Sequence, residues 1–193
     1  MLKNLRLIKH LDPDPTALMK EKIQTAEELF ENWKDYFYRD DKFLDYLKRY
    51  EKAVNLSNQT MLNLETFNEC YVCSVIDKKG CCKAGIEAEV TINILLLNLF
   101  LEKPIPKDRE IPLKCFFVGP TGCKIFARPF ICRDYFCRRL LNKLSHADYT
   151  LITQILNDEL TLLYEITRYI RKQLEFLLGD FLLELDIVGY CWE

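Results

Sequence analysis

The chain has 193 residues, 49% of them hydrophobic and 29% charged, and a formal net charge of −2. That length suggests one domain with apolar mass for its own core, and the near-neutral balance offers no electrostatic footprint for nucleic acid or an anionic membrane. With 6 glycines and 7 prolines, disorder and collagen-like structure are excluded, and two histidines, His10 and His146, rule out a mechanism built on several imidazoles.

Asp14 followed by Pro15 predicts a helix start, a side-chain acceptor ahead of a residue whose missing N–H costs nothing at the first position. Ile23, Ala26, Phe30, Trp33 and Phe37 then recur at three and four, an apolar stripe along one helix. Their helical spacing makes Trp33 and its aromatic neighbours core residues and not a base-stacking platform. Arg39-Asp40-Asp41 interrupts the stripe, which Phe43, Leu47, Tyr50 and Val54 resume. We expect these two helices to form an antiparallel pair, and the polar stretch NLSNQ from Asn55 to be a loop.

The next segment, NECYVCSVIDKKGCCKAG, has turn residues and no sustained period. Thr91 to Lys103 predicts a buried helix, although its β-branched start also suits a strand. EKPIPKDREIP carries three prolines and six charged residues among eleven, which favours an exposed connection. KCFFVGPTGCKIF predicts a short hairpin turning at Gly119-Pro120-Thr121-Gly122. Those glycines lack the G-x-G-x-x-G or G-K-[ST] context of a nucleotide loop. From Arg128-Pro129 the pattern is helical through Leu144. Ser145 and Asp148 then form a capping box with Asp in place of Glu. Behind it runs a stripe of Ile152, Leu156, Leu160, Leu163, Ile170, Leu174 and Leu177, widened by Leu151, Ile155, Leu162 and Ile166. This helix is expected to pack on the N-terminal pair, with Gly179 ending or bending it before FLLELDIV. The expected fold class is mostly α: a helical bundle enclosing an irregular cysteine-rich metal-binding knuckle with a short hairpin. Its regions are 1–66 (helical), 67–144 (cysteine cluster) and 145–193 (helical), within one compact domain.

Cysteine is the outlier, with nine residues, eight of them between Cys70 and Cys137. Their pattern is Cys70-x2-Cys73-x7-Cys81-Cys82, then 32 residues, then Cys115-x7-Cys123-x8-Cys132-x4-Cys137. Disulfide scaffolds are usually short secreted domains without a core of their own. Here the count is odd and the core is ample. The opening MLKNLRLIKHLDPDP has basic residues but neither a long apolar stretch nor a small-residue cleavage site. The longest apolar runs, Ile94 to Leu97 and Leu99 to Leu101, fall well below the roughly 20 residues that span a bilayer. These features lead us to expect a reducing cytoplasm, where grouped thiols more often hold metal than each other. We therefore read Cys70, Cys73, Cys81, Cys82, Cys115, Cys123, Cys132 and Cys137 as the metal-ligand set.

A Cys-x2-Cys spacing lets a tight turn aim two thiolates at one metal. Adjacent Cys81 and Cys82 are harder to place on one ion, since their Cβ atoms diverge in both extended and helical chain. Eight thiols fit three arrangements: two four-thiolate zinc sites, one four-iron cluster with four structural cysteines, or one zinc site with spare thiols. Sulfur-only coordination selects zinc or iron–sulfur over magnesium or calcium. Lys83, Lys124, Arg128 and Arg133 lie beside the ligands, either offsetting thiolate charge or as ordinary solvated charges. His10, His146, Glu87, Glu89 and Asp134 are read as surface residues, His146 near a helix cap. Cys191 is read as a packed or free thiol outside the cluster.

The run GCKIFARPFICRDYFC, preceded by the Cys-x2-Cys and Cys-Cys elements, resembles the YkgJ-type cysteine-cluster family of zinc- or iron-chelating domains. Gly122, Cys123, Ile125, Arg128, Pro129, Cys132, Arg133 and Cys137 fall on or near its G-C-x-I-Y-x-x-R-P-x-x-C-R pattern and the cysteine that follows. Phe126 replaces Tyr, and the spacer between Cys73 and Cys81 is longer than usual. The resemblance covers about residues 67 to 140 and implies metal chelation. A related segment occurs in flagellin lysine methylases, where an iron–sulfur cluster is implicated. Three functions follow as expectations: a metal-binding protein holding zinc or an iron–sulfur centre such as a 4Fe-4S cluster; an iron–sulfur-dependent enzyme modifying a protein or small molecule; or a protein–protein interaction module that zinc staples. The expected partners are a metal ion and, in the third case, a protein, with no nucleic acid and no membrane.

Overall fold

The computed structural model describes residues 14–179. His10, Cys191 and the segment FLLELDIV lie outside the described residues. Asp14 accepts a hydrogen bond from Thr16 N at 2.9 Å, and Pro15 opens α1 (Pro15–Phe37). Met19, Ile23, Ala26, Leu29 and Phe37 are buried, with Phe30 and Trp33 packed half-buried beside them. Asp40 caps α2 (Asp41–Asn63) by accepting from Lys42 N and Phe43 N.

The loop expected from Asn55 is helix. The buried row Phe43, Leu47, Tyr50 and Val54 continues through Ser57 and Met61 to the end of α2. Ser57 interrupts the apolar pattern because its hydroxyl has buried polar partners. The expected α1–α2 pairing is also replaced. α2 lies along α7 (His146–Leu178), while α1 packs against α4 (Ile92–Phe100). At the turn between α1 and α2, Phe37 and Phe43 stand 4.9 Å apart. Both rings join Phe30 and Tyr38 around Phe100 of α4, at 4.8 to 5.8 Å between centroids.

α4 is the helix its apolar run predicts, capped by Thr91 and buried on nearly every side. Two of its buried residues are polar, Asn93 and Asn98, and Asn98 is 0% exposed. The Asn98 amide donates to Ile94 O and Ala127 O, and its oxygen accepts from Phe126 N and Ala127 N, all within 2.8 to 3.1 Å. A buried amide with its capacity filled this way fixes the segment it touches. That irregular segment leads from Cys123 to Cys132.

α7 begins with the expected capping box of Ser145 and Asp148. Ile152, Leu156, Leu160, Leu163, Ile166, Ile170 and Leu174 are buried, whereas Leu151 is exposed. Gly179, at φ 56°, ends the helix. Between α2 and α4 lie α3 (Thr66–Tyr71), a π-helical turn (Val72–Ile76) and a 3-10 turn (Ile86–Glu89). The segment 102–112 is an irregular, mostly exposed connection. The hairpin forms as β1 (Val118–Gly119) and β2 (Gly122–Cys123). The continuous helix expected from Arg128 to Leu144 is broken in two, α5 (Phe130–Asp134) and α6 (Arg138–Lys143), because Tyr135 and Cys137 adopt extended backbone. The fold is mostly helical, and among the described residues no helix is long and apolar enough to cross a membrane.

α5 is tied to α2 and α7 by a buried charge pair. Arg133 and Glu159 have side chains 1% and 0% exposed. The guanidinium donates to both Glu159 oxygens, at 2.7 and 2.6 Å, and to Ser57 Oγ at 2.7 Å. Removing one partner strands the other charge in the core. Arg133→Met or Glu159→Gln alone should therefore lower unfolding free energy by about 3–5 kcal/mol, read by chemical denaturation. Arg133→Met with Glu159→Leu should recover much of that loss; a double variant as unstable as the sum of the singles would contradict this assignment.

Candidate metal centre

The eight cysteines from Cys70 to Cys137 are all free. Cys115 is buried, Cys70, Cys73, Cys82 and Cys137 are half-buried, and Cys81, Cys123 and Cys132 are exposed. They arrive on separate elements. Cys70 lies in the last turn of α3 and Cys73 in the π-helical turn, three residues on, which puts both on one helical side. Cys81 and Cys82 follow a loop that folds back on that turn, with Lys79 N donating to Cys73 O at 2.9 Å. Cys115 precedes the hairpin, Cys123 lies in β2, Cys132 in α5, and Cys137 caps α6.

A cavity of about 420 Å³ opens where these elements meet, lined by Cys70, Cys73, Cys81, Cys82 and Cys137. Among the described residues no three histidine, cysteine, aspartate or glutamate side chains stand in a group that could hold a metal ion as they are placed. The thiols nevertheless lie within electrostatic reach of one another. Burial pushes the Cys70 thiol up to about 11, with Cys81, Cys137 and Cys73 adding to the rise. Burial likewise raises Cys115 to about 12, with Cys123 and Cys132 contributing. Cys81 is lowered, first by its hydrogen bond with Cys82 and also by the Lys114 charge, and Cys82 is raised correspondingly.

The neighbouring charges sort differently from the sequence expectation. Arg133 is turned into the core and Lys124 is paired with Glu110. Arg128 donates to Ile125 O at 3.0 Å, stands 5.6 Å from the Phe67 ring centre, and is felt by both Cys70 and Cys132. Lys83 is exposed. Sequence reading missed Lys114, which is 4% exposed and donates to Lys79 O at 2.7 Å. Its one outward sign is a lysine directly before the apolar run that starts at Cys115.

Glu87 is not on the surface as expected. It is 1% exposed, accepts from Gly85 N at 2.8 Å and pairs with Arg109. His146, Asp134 and Glu89 are exposed, as read. No family model, curated protein or solved structure matches the chain.

Gly80 lies in the cavity wall beside Cys73. It has φ +89°, and a methyl group there would sit 3.0 Å from Cys73 Sγ. Gly85 shares the left-handed backbone, at φ +103°, with open space around it. Alanine at either position should cost about 1–2 kcal/mol of backbone strain. Gly80→Ala should in addition change the alkylation rate of Cys73, measured by peptide mapping, and Gly85→Ala should not. Equal Cys73 rates in the two variants would contradict the contact.

Proposed function

We propose that the chain is a metal-binding protein whose clustered cysteines hold zinc or an iron–sulfur centre as thiolates. The observation that carries the reading is the convergence of unpaired cysteines from both ends of a segment almost seventy residues long, five of them on one cavity. Ser74 supports the fit. Its hydroxyl is buried in the wall of the same cavity and has no hydrogen-bond partner. A buried donor left unmatched carries a desolvation penalty, which a thiolate sulfur would relieve. The donor set is sulfur throughout, the chemistry that selects zinc or iron. Cys70, Cys73, Cys81, Cys82, Cys115, Cys123, Cys132 and Cys137 would hold the metal, with Arg128 and Lys114 offsetting thiolate charge. The thiols raised by burial would release protons as metal enters. A closed tetrathiolate would supply folding energy; an iron–sulfur centre would add electron transfer. The resemblance to the YkgJ-type pattern, which rests on Gly122, Cys123, Ile125, Arg128, Pro129, Cys132, Arg133 and Cys137 alone, points the same way.

A second reading, the iron–sulfur-dependent modifying enzyme, draws on cavity size. A volume of about 420 Å³ lies in the roughly 300–1,000 Å³ range of small-molecule sites. Elemental analysis and visible spectra of anaerobically prepared protein separate the two, since zinc without visible absorption would remove the enzyme reading. Cys123→Ser and Cys132→Ser should lower metal content severalfold, and Cys191→Ser should leave it unchanged. Equal metal content in all three would overturn the ligand assignment.

A further inference from the structure

The net charge of −2 is unevenly spread along the chain. Residues 67–144 carry thirteen Lys and Arg against eight Asp and Glu, a balance of +5, and the remainder carries −7. Part of that excess is paired: Arg139 bridges Glu69 and Asp77, and Lys143 bridges Glu65 and Glu69, at 2.8 to 2.9 Å. Lys78, Lys79, Lys83 and Arg138 are exposed, and among the described residues no carboxylate takes their charges. None of the four belongs to the charge relief assigned above to Arg128 and Lys114.

Short ties gather these cations around the mouth of the cysteine-lined cavity. Lys83 lies in its wall with Tyr135 and Arg139. Lys83 also pairs with Lys114 in a single antiparallel bridge, flanked by hydrogen bonds from Cys115 N to Cys82 O and from Ala84 N to Leu113 O, both 3.1 Å. The buried Lys114 amine donates to Lys79 O at 2.7 Å. The Asp77–Arg139 pair joins the segments that carry Lys78 and Arg138. Asp134 is exposed beside them, which leaves the surface a positive excess. Leu113 stands on the same rim, 84% exposed and at φ 64°. That left-handed backbone is costly for a residue with a side chain. It is held by the Ala84 bond and by Lys114 N donating to Ile111 O at 3.2 Å. Ile76 and Tyr135 add apolar surface at 58% and 56% exposure.

We propose that this rim is a docking surface for an acidic segment of a partner protein, whose carboxylates meet Lys78, Lys79, Lys83 and Arg138 and whose apolar side chains cover Leu113. Unpaired cations interleaved with exposed apolar groups are complementary to that chemistry. A nucleic-acid backbone makes no use of the leucine, and as a long polyanion it is repelled by the −7 carried on the rest of the chain. A flat anionic bilayer cannot follow groups that ring a concave opening. The proposal goes beyond metal binding and holds whether or not a metal fills the cavity.

The probe is a fluorescein-labelled synthetic peptide of repeated Glu-Leu-Glu, titrated into the full-length protein as purified and followed by fluorescence anisotropy. It should bind at low salt, weaken severalfold as salt screens the charges, and bind more tightly than Lys-Leu-Lys or Glu-Ser-Glu repeats. Lys78→Glu with Lys83→Glu should weaken it about tenfold. Lys52→Glu with Lys172→Glu, the same charge change at exposed positions of α2 and α7, should leave it nearly unchanged. Leu113→Gly should weaken binding severalfold with no loss of thermal stability, because glycine takes a positive φ freely; a folding defect therefore cannot mimic the result. No binding of the acidic repeat at low salt, equal affinity for the basic repeat, equal losses in the two double variants, or unaltered affinity in Leu113→Gly would overturn the proposal. Tighter binding of a DNA duplex or of phosphatidylserine vesicles than of the peptide would overturn it as well.

Discussion

The bond between Arg133 and Glu159 decides where the cysteine-bearing half of the molecule sits. α5 has five residues, too few to be stable as an isolated helix, so its position must come from tertiary contacts. Arg133 supplies them from the residue after Cys132, reaching Glu159 on α7 and Ser57 on α2 at once. Two charges held in a dry interior tolerate little displacement, since every lost hydrogen bond exposes an uncompensated charge. The long helices and the cysteine region are thereby locked in register. Asn98 does the same from the other side, binding residues 126 and 127 to the core of α4.

Around the cysteines there is little regular structure to do this work. Short cross-ties replace it: the bridge of Lys83 with Lys114, the fold-back of Lys79 onto Cys73, and the ion pairs of α6 with Glu69 and Asp77. Such ties fix backbone but bury little apolar surface. A metal held by these cysteines, as proposed, would add rigidity to such a region, the logic by which metal and folding couple in small cysteine-rich segments. The orphaned Ser74 hydroxyl and the raised thiols of Cys70 and Cys115 are groups that a bound cation would relieve.

Legibility in the sequence followed the range of the interactions involved. α1 and α7 are readable because their caps and stripes are local, Asp14 with Pro15 and Ser145 with Asp148, whereas the apolar run from Thr91 suits a helix and its β-branched start a strand, and the structure makes it α4. Asn55 to Gln59 was misread because Ser57 finds its partner on Glu159, 102 residues away, and a polar residue in the stripe looks like a break until that partner is known. Glu87 and Lys114 were missed for the same reason, their burial being made good by Arg109 and by the Lys79 carbonyl. The packing of α2 on α7 in preference to α1 depends on which faces compete, which no single helix reveals. In the cysteine region, spacing exposed the difficulty of placing Cys81 and Cys82 together, whereas the opposition of Cys82 and Cys115 needed the register of the Lys83 bridge.

The central claim is that sulfur atoms far apart along the chain surround a common metal. X-ray absorption at the edge of whichever metal the anaerobically purified protein carries tests it most directly. The account predicts a first shell made of sulfur alone, at about 2.3 Å for zinc. A shell dominated by nitrogen or oxygen would contradict it.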